Sequence, residues 1–162
     1  PLSDRETISN YYKVVNKCCH DNPAILFPLE RFNSGLIRHE IFDKIVDITS
    51  SLESLISGVQ ELSYKFALHN SFIAESQPEA RRDAFDLLHN LYVARSGIVH
   101  GDTISKDKEK SLKKVTDNWE KIIRIAKAAL NYYLVFLYEK KKSEWGQHLK
   151  NLVFGLDKRI VE

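Results

Sequence analysis

Apolar residues recur at intervals of three and four along most of this chain, and that spacing is the period of an amphipathic α-helix. Interruptions are scarce, because the 162 residues include only 6 glycines and 4 prolines. No alternation of apolar and polar residues lasts long enough to indicate a β-strand. The sequence therefore predicts an all-α fold, an up-and-down bundle of five to seven helices with mostly short connections.

Breaks between the helical stretches divide the chain into three parts. We expect residues 1–38 to form an N-terminal helical extension packed on the bundle, residues 39–155 to form the bundle itself, and residues 156–162 to form a C-terminal tail. Within the bundle, the polar stretch from Thr103 to Lys114 contains five lysines and few large apolar residues. It predicts a solvated loop whose second half opens a long helix that reaches about Lys140.

Charge balance and cysteine content narrow the class of protein. The 24 basic and 22 acidic side chains leave a formal net charge of +2, so charge alone selects no polyanionic partner. The two cysteines, Cys18 and Cys19, are neighbours, and a disulfide between adjacent residues would be strained. A chain without a disulfide framework is typical of a reducing compartment, and we expect a cytoplasmic protein. The chain begins at Pro1 and contains no methionine, which favours a piece of a longer protein or a trimmed chain.

We expect no association with a membrane. The most apolar stretch, from Ile122 to Tyr138, is interrupted by Arg124, Lys127 and Asn131. It therefore offers no run of about 20 apolar residues, the length that a spanning helix needs. This pattern predicts an amphipathic helix inside the bundle.

Common catalytic and metal-binding templates find no counterpart in the sequence. There is no glycine-rich phosphate loop and no Gly-x-Ser-x-Gly turn, and none of the 6 histidines lies in a His-Glu-x-x-His motif. We therefore expect neither a cofactor nor a metal. Asp43 and Asp47 stand one helical turn apart, a spacing that favours a solvated or ion-paired helix face over a metal site.

One segment, Leu91 to Gly101, combines a permanent cation with a titratable ring. Arg95 precedes His100 by five positions, and Gly97 and Gly101 punctuate the path between and after them. On an unbroken helix the two side chains would lie well over a right angle apart, whereas a bend at Gly97 or a helix end just after it would turn both toward one cleft. Spacing alone favours a simpler arrangement, with the arginine in an ion pair and the histidine at a helix terminus.

The letters of this segment, LYVARSGIVHG, resemble the signature of HEPN domains, in particular the Apea-like branch, in which an arginine is followed after four to six residues by a histidine. A second stretch upstream is similar to the same branch: RFNSGLIRHEIFDKIVDITSSLESLI, followed by ELSYKFAL. Together the two stretches cover roughly Leu29 to Gly101, in the order and at the separation of the family. The tail beyond about Gly155 carries no recognisable motif.

The resemblance implies a helical bundle that forms a homodimer, with the arginine and histidine motifs of two copies facing each other. Many HEPN proteins are metal-independent endoribonucleases of toxin–antitoxin, abortive-infection and other antiviral systems. Arg95 and His100 match the two motif positions. Ser96 departs from the asparagine, aspartate or histidine that follows the arginine in many catalytic members, although its hydroxyl still donates and accepts hydrogen bonds.

The implied reaction is attack of a ribose 2′-hydroxyl on the adjacent phosphodiester. His100 would transfer protons, because the reference pKa of histidine is about 6.5, and Arg95 would bind the phosphate oxygens. Glu53 would orient Arg95, or the two would form an ion pair that only joins helices. Asp102 would hold the imidazole of His100 or cap the turn. RNA, a second copy of the chain, and a cognate antitoxin or other domains of a longer chain are the expected partners.

The alternative is a catalytically silent HEPN module that binds RNA, a nucleotide or a partner protein within a longer chain. The lysine-rich segment from Lys106 to Lys114 is the best candidate for contact with RNA, although no aromatic residues alternate with its lysines for base stacking. The nearly neutral net charge argues against strong unaided affinity for nucleic acid.

Overall fold

The computed structural model describes residues 2–56, 61–100 and 106–160, and these residues form a bundle of eight α-helices without a β-strand. The all-α prediction is confirmed. Two 3₁₀ turns, Pro23–Ile25 and Lys142–Glu144, precede the second and the last helix. The α-helices are α1 (Leu2–Asp21), α2 (Leu26–Ile37), α3 (Ile41–Glu53), α4 (Leu62–Ala74), α5 (Pro78–His100), α6 (Lys106–Asp117), α7 (Trp119–Glu139) and α8 (Trp145–Val153).

The lysine-rich segment forms a helix of its own, α6, and this corrects the expectation of a loop that opens the long helix. Asn118 separates α6 from α7 with a backbone conformation outside the helical range, φ −121° and ψ 26°. Ser111 and Val115 are buried and Leu112 packs against the core, so α6 has a narrow inner face that its many lysines conceal in the sequence. The described helices therefore number one more than expected. Residues 103–105 of the predicted loop lie outside the described part of the chain.

Helix α2 continues to Ile37 past Asn33, Ser34 and Gly35, three residue types that often end a helix. Gly35 is buried within α2, and a Cβ atom placed on it would lie 2.7 Å from the side chain of Ile48 in α3. The glycine therefore permits two helices to approach closely, because any larger side chain would force Ile48 to move. The same residue type signals a helix end in a sequence and a helix contact in this structure.

Helix α7 lies at the centre of the bundle and packs against α1, α3 and α4. Apolar side chains from along α7 are buried, including Ile122, Ile125, Leu130 and Phe136. The N-terminal region joins the same core, since Cys18 of α1 is buried with its Sγ atom 3.4 Å from the carbonyl oxygen of Leu134. Within the described residues no helix combines the length and the apolar character needed to cross a membrane.

The segment after α8 folds back on the bundle through a chain of hydrogen bonds. The hydroxyl of Tyr132 lies 2.8 Å from Nε2 of the buried His148, whose Nδ1 atom lies 2.9 Å from a carboxylate oxygen of Asp157. The backbone N–H of Ile160 donates to the same hydroxyl at 3.2 Å. We call Tyr132, His148, Asp157 and Ile160 the C-terminal relay.

Candidate functional site

Glu53 is the last residue of α3, and two buried side chains fix the turn that carries it. The amide of Asn70 in α4 donates to the carbonyl oxygen of Leu52 at 3.4 Å. The indole N–H of Trp145 in α8 donates to the carbonyl oxygen of Leu55 at 2.6 Å. Carbonyl groups at the end of a helix have few partners within it, so these donors add to the backbone bond from Leu55 to Leu52 and anchor the turn that carries Glu53.

Arg95 of α5 contacts that carboxylate, as the sequence analysis proposed for these two residues. Its Nη2 atom lies 3.3 Å from Oε2 of Glu53, and the two side chains are 25% and 23% exposed. The Nε atom of Arg95 is buried and has no hydrogen-bond partner among the described residues. A guanidinium carries five N–H donors, so the contact with Glu53 leaves part of its binding capacity unused.

Tyr92 completes this group from one helical turn before Arg95. Its hydroxyl is close enough to Glu53 to feel the charge of that carboxylate, and its ring packs at 5.3 Å from that of Phe66. Burial and then the negative charge of Glu53 raise the pKa of Tyr92, because both oppose formation of the phenolate. Tyr92 is half-buried, and its closeness to Glu53 had no signal in the sequence, since the two residues lie far apart along the chain.

His100 stands apart from Arg95 within one copy of the protein. Helix α5 does not end just after Gly97 but continues to His100. Five positions on such a helix correspond to about 140° around the axis and about 7.5 Å along it. His100 is exposed, and Ser96 is half-buried. A helix end just after Gly97, one of the two arrangements that would turn both motif residues toward one cleft, therefore does not occur.

Gly97 serves the packing of α6 on α5. It is buried, and a Cβ atom placed on it would lie 3.1 Å from Cδ of Lys108. The glycine thus makes room for the aliphatic stem of that lysine rather than ending the helix. Gly101 and the proposed supporting residue Asp102 lie outside the described residues.

Of the two aspartates on α3, Asp43 and Asp47, the second is already engaged in ion pairs. Asp47 is buried and accepts hydrogen bonds from Nη1 of Arg31 at 3.0 Å and from Nε of Arg38 at 3.1 Å. The ion-paired interpretation is confirmed for Asp47. Among the residues that the structure describes, no group of three or more histidines, cysteines, aspartates and glutamates could hold a metal ion.

A pocket of about 590 Å³ opens between α4 and α5 beside Tyr92. Its walls include Tyr64, Phe85 and His89, none of which the sequence analysis singled out. Phe85, His89 and Tyr92 follow one another at intervals of four and three on α5, which is the usual signal of a shared helix face. Tyr64 comes from another helix, and no spacing in the sequence could have placed it there.

Comparison with known proteins finds no match to this chain. No family model matches the chain, and no curated protein and no solved structure matches it either. The similarity to HEPN domains thus rests on the two sequence segments given above.

Proposed function

We propose that this protein is a HEPN-type, metal-independent endoribonuclease that works as a homodimer on RNA. The observation that carries the proposal is the pair Arg95 and His100 on α5, with guanidinium donors left over at the first and an exposed imidazole at the second. A role in a toxin–antitoxin, abortive-infection or antiviral system follows from the resemblance. The same proposal places the protein in the cytoplasm, with an antitoxin or further domains of a longer chain as regulators.

His100 would carry the protons of the reaction. The ribose 2′-hydroxyl must lose a proton as it attacks phosphorus, and the departing 5′-oxygen must gain one. An imidazole exchanges protons near neutral pH, and the exposed position of His100 lets a bound strand reach it. DNA lacks the attacking hydroxyl, so the proposal requires that DNA remain intact.

Arg95 would bind the phosphate during the same step. Negative charge grows on the non-bridging oxygens in the transition state, and a planar guanidinium can bind two of them at once. Glu53 accepts one donor of Arg95, and Tyr92 is a neighbour of both residues. These contacts restrict the arginine side chain before RNA arrives, which lowers the entropic cost of binding the phosphate.

The homodimer supplies what one copy lacks. Arg95 and His100 lie at equal distances along the axis from the midpoint between Gly97 and Ile98. Antiparallel pairing of two α5 helices about that midpoint sets Arg95 of one copy level with His100 of the other. Val99, on the arc of the helix between them, is 51% exposed and offers apolar surface for such a contact.

The test is cleavage of single-stranded RNA by the purified dimer in the presence of a metal chelator. We expect the unmodified protein to cut RNA and leave a 2′,3′-cyclic phosphate, and His100→Ala to lower the rate about 10²- to 10⁴-fold, the usual contribution of a general acid or base. His20→Ala is the matched control, because His20 is an exposed histidine on α1 with an 89% exposed side chain. Intact RNA after incubation with the unmodified dimer, or undiminished cutting by His100→Ala, would contradict the proposal.

The second candidate is a silent HEPN module that binds RNA or a partner without cutting. One observation favours it: the carboxylate of Glu53 already compensates much of the charge that Arg95 would bring to a phosphate. In that case RNA would bind with an affinity that falls with rising salt, and no cleavage would accompany it. A salt titration of binding, run beside the cleavage assay, separates the two candidates.

A further inference from the structure

The pocket between α4 and α5 has aromatic walls that remain accessible from outside. Tyr64 is 54% exposed, and its ring meets that of Phe85 edge to face at a centroid distance of 5.7 Å. The ring of Phe85 lies nearly parallel to the imidazole of the exposed His89, at 6.4 Å and 15°. Large exposed rings leave apolar surface in contact with water. A cluster of them therefore indicates a surface on which a flat ligand can stack.

Two carboxylates stand among these rings. Glu61 and Asp86 line the same pocket, and the structure gives neither of them an ion-pair partner among the described residues. Ionised carboxylates only accept hydrogen bonds, so a ligand held there must present N–H or O–H donors. The same negative charges repel a phosphate group, and the ligand that enters must do so with an uncharged part.

Tyr92 connects the pocket with the proposed phosphate site. Its ring lines the pocket, and its hydroxyl is close enough to feel the charge of Glu53, the residue that contacts Arg95. Tyr92 stands about 4.5 Å below Arg95 along the axis of α5, since each residue rises by about 1.5 Å. A group in the pocket is therefore a near neighbour of a phosphate bound at Arg95.

We infer that this pocket, lined by Tyr64, His89, Tyr92 and Asp86, binds an unstacked base of RNA next to the phosphate held by Arg95. Guanine fits best, because its N1–H and its amino group lie side by side and match the two oxygens of one carboxylate. Adenine and cytosine offer the amino group alone, and uracil offers a single N–H. The inference rests on the proposed function for the identity of the strand and deepens it by naming the base.

Titration of the protein with single nucleotides tests the inference without any cleavage. We expect guanosine monophosphate to shift the backbone NMR signals of residues 61–64 and 85–92, and uridine monophosphate to bind more weakly at the same place. Tyr64→Ala should weaken guanosine monophosphate binding roughly 5- to 150-fold, the range that one base–aromatic stack contributes. Tyr12→Ala, at a 66% exposed tyrosine of α1, is its control and should leave binding unchanged.

Asp86→Asn tests the choice of base. An amide keeps the shape of the carboxylate but loses its charge and one acceptor, so the preference for guanine over uracil should fall about tenfold. Asp83→Asn is the control on the same helix, at an aspartate 68% exposed and paired with Lys121.

The outcomes separate this inference from the proposed function. Guanosine monophosphate bound at this pocket by a protein that cuts no RNA would support the pocket and contradict the nuclease. Cleavage that depends on His100, together with equal binding of both nucleotides or unchanged binding by Tyr64→Ala, would overturn the pocket and leave the nuclease standing. Nucleotide-induced shifts confined to other parts of the molecule would overturn the pocket as well.

Discussion

The C-terminal relay and the contact between Glu53 and Arg95 both join helices through polar groups, but they differ in how completely those groups are paired. In the relay, the Tyr132 hydroxyl shares a hydrogen bond with Nε2 of His148, Nδ1–H of His148 donates to Asp157, and the tyrosine oxygen accepts the N–H of Ile160. Each ring nitrogen of His148 thus has a partner in one consistent arrangement of protons. Beside Glu53, a buried N–H of Arg95 stays unpaired among the described residues.

We use this difference to distinguish a structural network from the proposed site. A fully paired buried network gains nothing from a ligand and holds the fold together. An unpaired buried donor costs free energy in the isolated protein, and a ligand that supplies an acceptor removes that cost. The contrast predicts that mutations in the relay act on stability, whereas mutations near Arg95 act on function.

Removal of one hydroxyl from the relay should produce the largest change in stability. Tyr132→Phe leaves Nε2 of the buried His148 and the N–H of Ile160 without their shared partner. We expect the free energy of unfolding to fall by about 1–3 kcal/mol, measured by urea denaturation. Tyr138→Phe, at a 46% exposed tyrosine of the same helix, should change it little. Equal losses of unfolding free energy in Tyr132→Phe and Tyr138→Phe would contradict the proposed difference between the relay and an ordinary surface position.

Neutralising Glu53 should change stability less. Glu53→Gln removes the charge of a partly exposed ion pair, and such pairs contribute about 0–1 kcal/mol. The variant should instead lower the pKa of Tyr92 toward its ordinary value of 10.0, because the charge of Glu53 helps to raise it. An NMR titration of the Tyr92 ring measures this change. An unchanged pKa of Tyr92, or a stability loss as large as that of Tyr132→Phe, would contradict the proposed difference between the C-terminal relay and the contact of Glu53 with Arg95.

The smallest expected effect is on how stability depends on pH in acid solution. The hydrogen bond from His148 is the main reason that the pKa of Asp157 lies below its ordinary value of 3.8. A carboxylate with a lowered pKa stabilises the fold above its unfolded-state pKa, and that contribution is lost as the pH falls through the folded-state pKa. The stability difference between the unmodified protein and Asp157→Asn should therefore be present at neutral pH and close below about pH 3.8.

Asp21→Asn provides the control for this comparison, because Asp21 also lies beside a histidine, but on the surface, where the side chain of His20 is 89% exposed. Its acid denaturation curve should follow that of the unmodified protein. A stability difference for Asp157→Asn that persists unchanged into strong acid would contradict the role of the His148 hydrogen bond.

Local patterns in the sequence predicted the helical class and favoured a solvated or ion-paired face over a metal site for Asp43 and Asp47. The contact of Glu53 with Arg95 was proposed together with the family resemblance. The local patterns failed where one residue type serves two purposes. Glycine is a common signal of a helix end, yet Gly35 and Gly97 each make room for a side chain of a neighbouring helix, Ile48 and Lys108 respectively. Helix α6 was missed because only Ser111 and Val115 of its narrow inner face are buried.

The relay and the pocket illustrate a second reason for failure. Tyr132, His148 and Asp157 belong to different segments, and so do Tyr64 and Tyr92. Their proximity arises from the packing angles of whole helices, which no local spacing encodes. The relay and the pocket could therefore be recognised only after the bundle was assembled.

The central claim is that Arg95 of one copy and His100 of another act on the same phosphodiester, and a mixed dimer tests it most directly. One copy would carry Arg95→Ala and the other His100→Ala, and the mixed dimer would be isolated through two different affinity tags. We expect either variant alone to be nearly inactive on single-stranded RNA and the mixed dimer to regain cleavage, because one unaltered Arg95 then faces one unaltered His100. A mixed dimer as inactive as its two parents, or a chain that remains monomeric, would contradict the account.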